Sequence, residues 1–135
     1  VQVKPASGIF LEFAPIGRTW SEPISRREAK EGQHGRYLDW LDSNLAVFGK
    51  DDAQVLEYWL DVSLFSSWKR DAKKKLPWQR DVFLEDIAAY ADRGIRHVTS
   101  FAAYMDADYV RQYGEPPVDE YGNGLRDFRR PQDPA

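Results

Sequence analysis

Apolar residues along this chain form three short alternating runs. Each run is followed by a stretch whose apolar residues recur at steps of three and four, the first two long and the third short. Alternation at period two predicts strands, and stripes at three and four predict helices. The first run is residues 8–14, GIFLEFA, with Ile9, Leu11 and Phe13 on one face and Phe10, Glu12 and Ala14 on the other. Pro15 ends it, having no N–H for a ladder. Residues 33–48 predict a helix, with Leu38, Leu41, Leu45 and Phe48 on one stripe and Gly49 as its stop. The second run, residues 54–62, reads QVLEYWLDV. Leu56, Tyr58 and Leu60 make a face suited to packing under helices; Val55, Glu57, Trp59 and Asp61 make the other. A carboxylate inside a buried strand is costly unless paired or hydrogen-bonded, so this run is the first mark of a site.

Residues 81–93 predict a second long helix, with Val82, Phe83, Ile87, Tyr90 and Ala91 on one face, Asp81 as candidate N-cap and Gly94 as stop. Residues 95–102, IRHVTSFA, predict a third strand, and residues 107–113 a short helix ended by Gly114. Residues 115–135, rich in proline, glycine and charge, predict an irregular, mobile tail.

Strands and helices that alternate in this way predict an α/β fold with a parallel sheet and right-handed crossovers. The links from helix to strand are short. Those from strand to helix are long, and both lie past the C-terminal ends of strands, where parallel α/β proteins bind ligands. Three strands make an incomplete sheet with bare edges. Either other chain segments complete it or copies of this chain assemble. The expected architecture is a partial (β/α)8 barrel over residues 1–114, three parallel β/α units with long loops at the C-terminal ends of the strands.

Composition narrows the function classes. Apolar residues are 42% and charged residues 30%, which suits a packed domain. The net charge of −3, with mixed signs, gives no footprint for nucleic acid, and no apolar run approaches a membrane span. The chain has no cysteine, which excludes thiolate metal sites; His34 and His97 match no compact metal motif, and no cofactor is implied. Aromatics are 14%, including five tryptophans; the rings either simply fill a core or leave some as flat platforms for a ligand.

The passages DWLDSNLAVFGKDDAQVLEYWLDVSLFSSW, KLPW and GIRHVTSFAAYMDADYV resemble the later part of an uncharacterised bacterial glycoside-hydrolase-like family. Its members look like relatives of α-glucuronidases and β-hexosaminidases on a TIM barrel. Upstream, IFLEFAPIGRTWSEPI is similar to that family's earlier strand, which runs into an arginine-bearing loop. The resemblance covers residues 8–114. It implies that the three strands are the last three of a barrel, with carbohydrate as ligand. The proton donor of related glycosidases follows the fourth strand, which would lie outside this chain.

Glycoside hydrolysis needs two carboxyl groups, one protonated and one ionised. Glu57 and Glu12 lie on neighbouring predicted strands, and close carboxylates push one pKa up. They are the candidate acid/base pair; alternatively they pair with Arg18, Arg96 or His97 and hold the fold together. Asp61, near the strand's C-terminal end, could act as a base, bind sugar hydroxyls or cap the following turn. Arg18 could clamp a carboxylate in bidentate fashion or form a structural ion pair. Trp59, Trp68 and Tyr104 are candidate sugar-contacting rings, with Trp20 on the first long loop. Asp106 and Asp108 fit helix capping better than catalysis, and His97 reads as a core histidine. Two rival readings use the same residues: a non-catalytic carbohydrate-binding module, and a structural α/β domain that assembles with itself.

Overall fold

A computed structural model describes residues 3–127. Its elements are β1 (Glu12–Phe13), α1 (His34–Phe48), β2 (Gln54–Glu57) and α2 (Val62–Phe65), then a 3-10 turn (Arg70–Ala72). There follow α3 (Arg80–Asp92), β3 (His97–Ser100), α4 (Ala107–Tyr113) and α5 (Val118–Asp127). The three strands form one parallel sheet in the order β1-β2-β3. The sheet is small and open, and the fold is mixed α/β as the alternation predicts.

The strands are shorter than the apolar runs. β2 stops at Glu57 because the chain then turns to start α2. Tyr58 O accepts from Asp61 N, and Asp61 caps α2. Asp61 Oδ1 accepts from Ser63 N at 3.0 Å, Ser63 Oγ at 2.5 Å and Leu64 N at 3.3 Å. A carboxylate that satisfies the free N–H groups of a helix start has a structural task. Asp61 is therefore a cap, the third of its predicted roles.

α1 and α3 cover one face of the sheet. Leu38 and Leu41 of α1, with Phe83, Ile87 and Tyr90 of α3, pack around Phe13, Val55 and Trp59. The covered face is thus that of Val55 and Glu57, not that of Leu56 and Tyr58. Alternation separates two faces of a strand but does not say which one a helix takes. On the other face Glu12, His97 and Thr99 are exposed, and Gln54 and Leu56 are half-buried. His97 is therefore a surface residue, not a core one.

The predicted tail contains α5. Pro117 precedes its first residue, a position proline tolerates because that N–H is unpaired in any helix. Tyr121, Gly124 and Leu125 turn toward α3, where Tyr121 lies 5.4 Å from the Phe83 ring. Gly124 admits that approach, since a Cβ there would stand 2.5 Å from Phe83 Cε1. Residues 128–135 of the predicted tail lie outside the described residues.

Candidate functional site

Arg18 follows β1 by five residues and points inward, beneath the sheet's C-terminal end. Its five N–H donors are all engaged. Nε donates to Thr19 O, and Nη2 to Glu22 O and Asp86 Oδ1. Nη1 donates to Glu57 Oε2 at 2.6 Å and to Asp86 Oδ2 at 2.8 Å. All three charged side chains have no solvent exposure.

Asp86 comes from α3, on the stripe of Phe83, Ile87 and Tyr90. It is the residue that reading the sequence missed, although a carboxylate at helical spacing within an apolar stripe is a visible signal. Four donors converge on it. Besides the two from Arg18, Ile24 N reaches Oδ1 at 2.6 Å and Trp59 Nε1 reaches Oδ2 at 2.8 Å. Trp59 is therefore a buried core residue that spends its indole N–H on Asp86, and it is not a platform for sugar.

Glu57 is served unequally. Oε2 takes the short bond from Arg18, while Oε1 has no hydrogen-bond partner. Burial raises the Glu57 carboxyl to about 8, against the lowering field of Arg18 and with help from Asp86. The Trp20 indole N–H lies close enough to favour the carboxylate, though it makes no bond of ordinary geometry. Tyr90 Oη is also without a partner, and burial raises that phenol well above its usual range. Among the described residues these three atoms are the only buried side-chain polar atoms without a partner, and all three adjoin Arg18.

This cluster fixes the loop between β1 and α1. His34, at the start of α1, adds a second pin. Its Nδ1 lies 3.0 Å from Pro23 O, and its Nε2 lies 3.3 Å from Thr19 N. A neutral ring with Nδ1–H satisfies both contacts, and burial beside Arg18 lowers the His34 pKa. Gly32 lets the loop close on itself, because a Cβ there would overlap the Thr19 backbone nitrogen.

The fixed loop borders a cleft of about 350 Å³ at the C-terminal end of the sheet, with Trp20, Thr19, Glu31, Phe65, Pro77 and Gln79 in its wall. Trp20 packs edge-on against Phe65 at 5.4 Å and Tyr58 at 6.1 Å, and Tyr58 continues to Phe101 at 5.3 Å. Beyond Phe65 the chain adopts two left-handed residues, Ser67 (φ 53°) and Trp68 (φ 58°); Tyr104, after β3, is a third (φ 64°). Bulky residues seldom adopt this conformation. Trp68 is 61% exposed. The Tyr104 hydroxyl donates to Trp68 O at 3.3 Å, and the Arg70 guanidinium stacks 4.6 Å over the Tyr104 ring.

The structure divides the predicted site residues. Arg18 and Glu57 meet through a short hydrogen bond inside the core. Trp68 and Tyr104 meet at the surface past β2 and β3. Glu12 joins neither group. The register pairs it with Gln54, while Phe13 pairs with Val55. Glu12 therefore points from the face opposite Glu57, and the two carboxyls do not form a pair. Glu57 is sealed from any ligand, which removes the access an acid/base catalyst needs. Among the described residues no group of acidic and histidine side chains could hold a metal ion. Comparison with family models, with curated proteins and with solved structures gave no match.

Proposed function

We propose that this chain forms one wall of a glycoside-hydrolase-like (β/α)8 barrel and contributes saccharide binding rather than the acid/base pair. The observation that carries this reading is Trp68. A large indole stands mostly exposed on left-handed backbone, hydrogen-bonded at its carbonyl to Tyr104, which shares that conformation. Two such residues held together past the C-terminal ends of parallel strands lie where this fold class keeps its ligands. The flat faces of Trp68 and Trp20 suit the C–H faces of a pyranose ring. The carboxylates Glu57 and Asp61 are committed to the fold, so hydrolysis would draw its acid and base from elsewhere in a longer chain.

The test is titration of this chain with xylo-, cello- and chito-oligosaccharides, followed by calorimetry. Binding that falls at least about tenfold in Trp68→Ala, a loss of about 1.4 kcal/mol, supports the reading. Absence of binding to any of them, or full binding by Trp68→Ala, sinks it.

A second reading has its own observation. Among the described residues β1 and β3 each pair on one edge only, and Ile9, Phe10 and Phe101 stand 43–59% exposed beside the sheet. Self-assembly through those edges predicts a mass that rises with concentration in light scattering.

A further inference from the structure

The buried cluster sets one guanidinium against two carboxyls, and its donors are allotted unevenly. Every N–H of Arg18 is used, and none reaches Glu57 Oε1. Asp86 receives four donors from three residues, Arg18, Ile24 and Trp59. That is the donor set of an ionised carboxylate. Glu57 receives one, in a place without solvent. Two ionised carboxylates here would leave a net negative charge in the core with one oxygen unsolvated, which is among the costliest arrangements a fold can hold.

We propose that Glu57 is a proton switch: at neutral pH it is an uncharged acid with its proton on Oε1, and losing that proton on alkalinisation unlocks the loop between β1 and α1 from α3. Asp86 is the hinge pin of that lock. It holds Arg18 and Ile24 of the loop and Trp59 beyond β2 at once. Both carboxyls meet at the same Nη1, each on its own N–H, so a second negative charge there repels Asp86 across that nitrogen. The groups facing Glu57 are few. Arg18 and Trp20 come from the loop, Asp86 and Tyr90 from α3, Tyr58 follows Glu57 at the end of β2 and feels its charge, and Ser100 is the register partner on β3. His34 of α1 lies within the field of Arg18, and burial beside that cation lowers its pKa. Among the described residues Arg18 is the one cation whose charge bears on Glu57. The rise in its acidity midpoint that burial causes agrees with this allotment. Because the loop borders the cleft, the proton governs the shape of the cleft whatever occupies it.

The experiment is a carbon-detected NMR titration of the uniformly labelled chain from pH 4 to 10. The Glu57 Cδ resonance is assigned through its own bonds. The Trp59 indole N–H and the Ile24 amide, both donors to Asp86, are followed in parallel. Glu57 Cδ should keep the protonated-acid position through pH 7, and the Trp59 and Ile24 signals should move with its midpoint. In Glu57→Gln, an uncharged amide at every pH, those two signals should lack any step at that midpoint. A carboxylate position for Glu57 at pH 6 overturns the proposal. So does a titration of Glu57 that leaves Trp59 and Ile24 unmoved. The wild-type titration decides the matter even if Glu57→Gln does not fold.

Discussion

Two places in this molecule set one cation between two carboxylates, and they behave in opposite ways. In the core, Arg18 holds Glu57 and Asp86 with all three side chains sealed from water. Near the surface, Lys73 holds Asp106 at 2.8 Å and Asp108 at 3.1 Å, and those two carboxylates are 41% and 45% exposed. Hydrogen bonds from Lys73 lower both Asp106 and Asp108, as an opposite charge should. In the core, loss of water overrides the same attraction and raises Glu57. At the surface water and two further cations, Arg70 beside Asp106 and Arg111 beside Asp108, share the load with Lys73; in the core Arg18 faces two carboxyls without such help. The tasks differ too. The core cluster joins the β1 loop to α3, whereas the surface cluster ties the segment after α2 to the start of α4, where Asp106 also caps Tyr109 N.

Breaking the core cluster should cost most. Arg18→Met leaves two carboxyls buried without their cation, a loss of about 3–5 kcal/mol. Urea denaturation at pH 7 should show a largely unfolded variant, with partial recovery near pH 5 as the carboxyls take up protons. A wild-type midpoint at pH 7 would contradict the described pairing.

The next effect is one of pH. Glu57 holds its proton more tightly folded than unfolded. Stability from this group is fully present below its ordinary value of 4.5 and declines as pH rises toward about 8. The integrated loss is of order a few kcal/mol. Glu57→Gln should lack that slope, so the two denaturation curves should diverge between pH 5 and pH 8. Parallel curves would mean that Glu57 is ionised throughout.

Gly124→Ala tests a packing contact instead of a charge. Its Cβ would press on Phe83, and overpacking of this kind costs about 1–3 kcal/mol. The seat of α5 on α3 should loosen, seen as faster proteolysis within α5 while the sheet remains intact.

The surface cluster should give the smallest change. Lys73→Met removes a contribution that exists above the ordinary aspartate value of 3.8 and is lost as pH falls. The wild-type advantage should shrink in salt and on acidification, opposite in sign to the Glu57 effect. Equal sensitivity of both clusters to salt would erase the contrast between them.

Helices were legible in the sequence because their stripes repeat over several turns. α1, α3 and α4 fall within one residue of the spacing-based ranges. Strands were overread. The alternation of residues 54–62 runs through Trp59 and Asp61, yet the Asp-x-Ser sequence at Asp61 already carries a helix cap that ends the strand. The face beneath the helices was inverted, since Val55 and Leu56 are equally apolar and nothing in period two chooses between them. A buried strand carboxylate calls for a cation, which made Arg18 one of three alternative partners for Glu57 beside the Glu12 pairing; spacing alone does not choose among them. Asp86 was hidden by attention to the apolar members of its stripe. α5 was lost in a segment whose proline and glycine content masks the Tyr121, Gly124 and Leu125 spacing.

The sheet order β1-β2-β3 follows the chain order, with each strand laid beside its predecessor. Such a sheet grows by accretion. A further strand and helix can join at either flank without displacing an existing pair, because every present ladder is already closed between sequence neighbours. The chain is in that sense a module with two open joints, and duplication or fusion at either joint would extend it while leaving the Arg18 lock untouched.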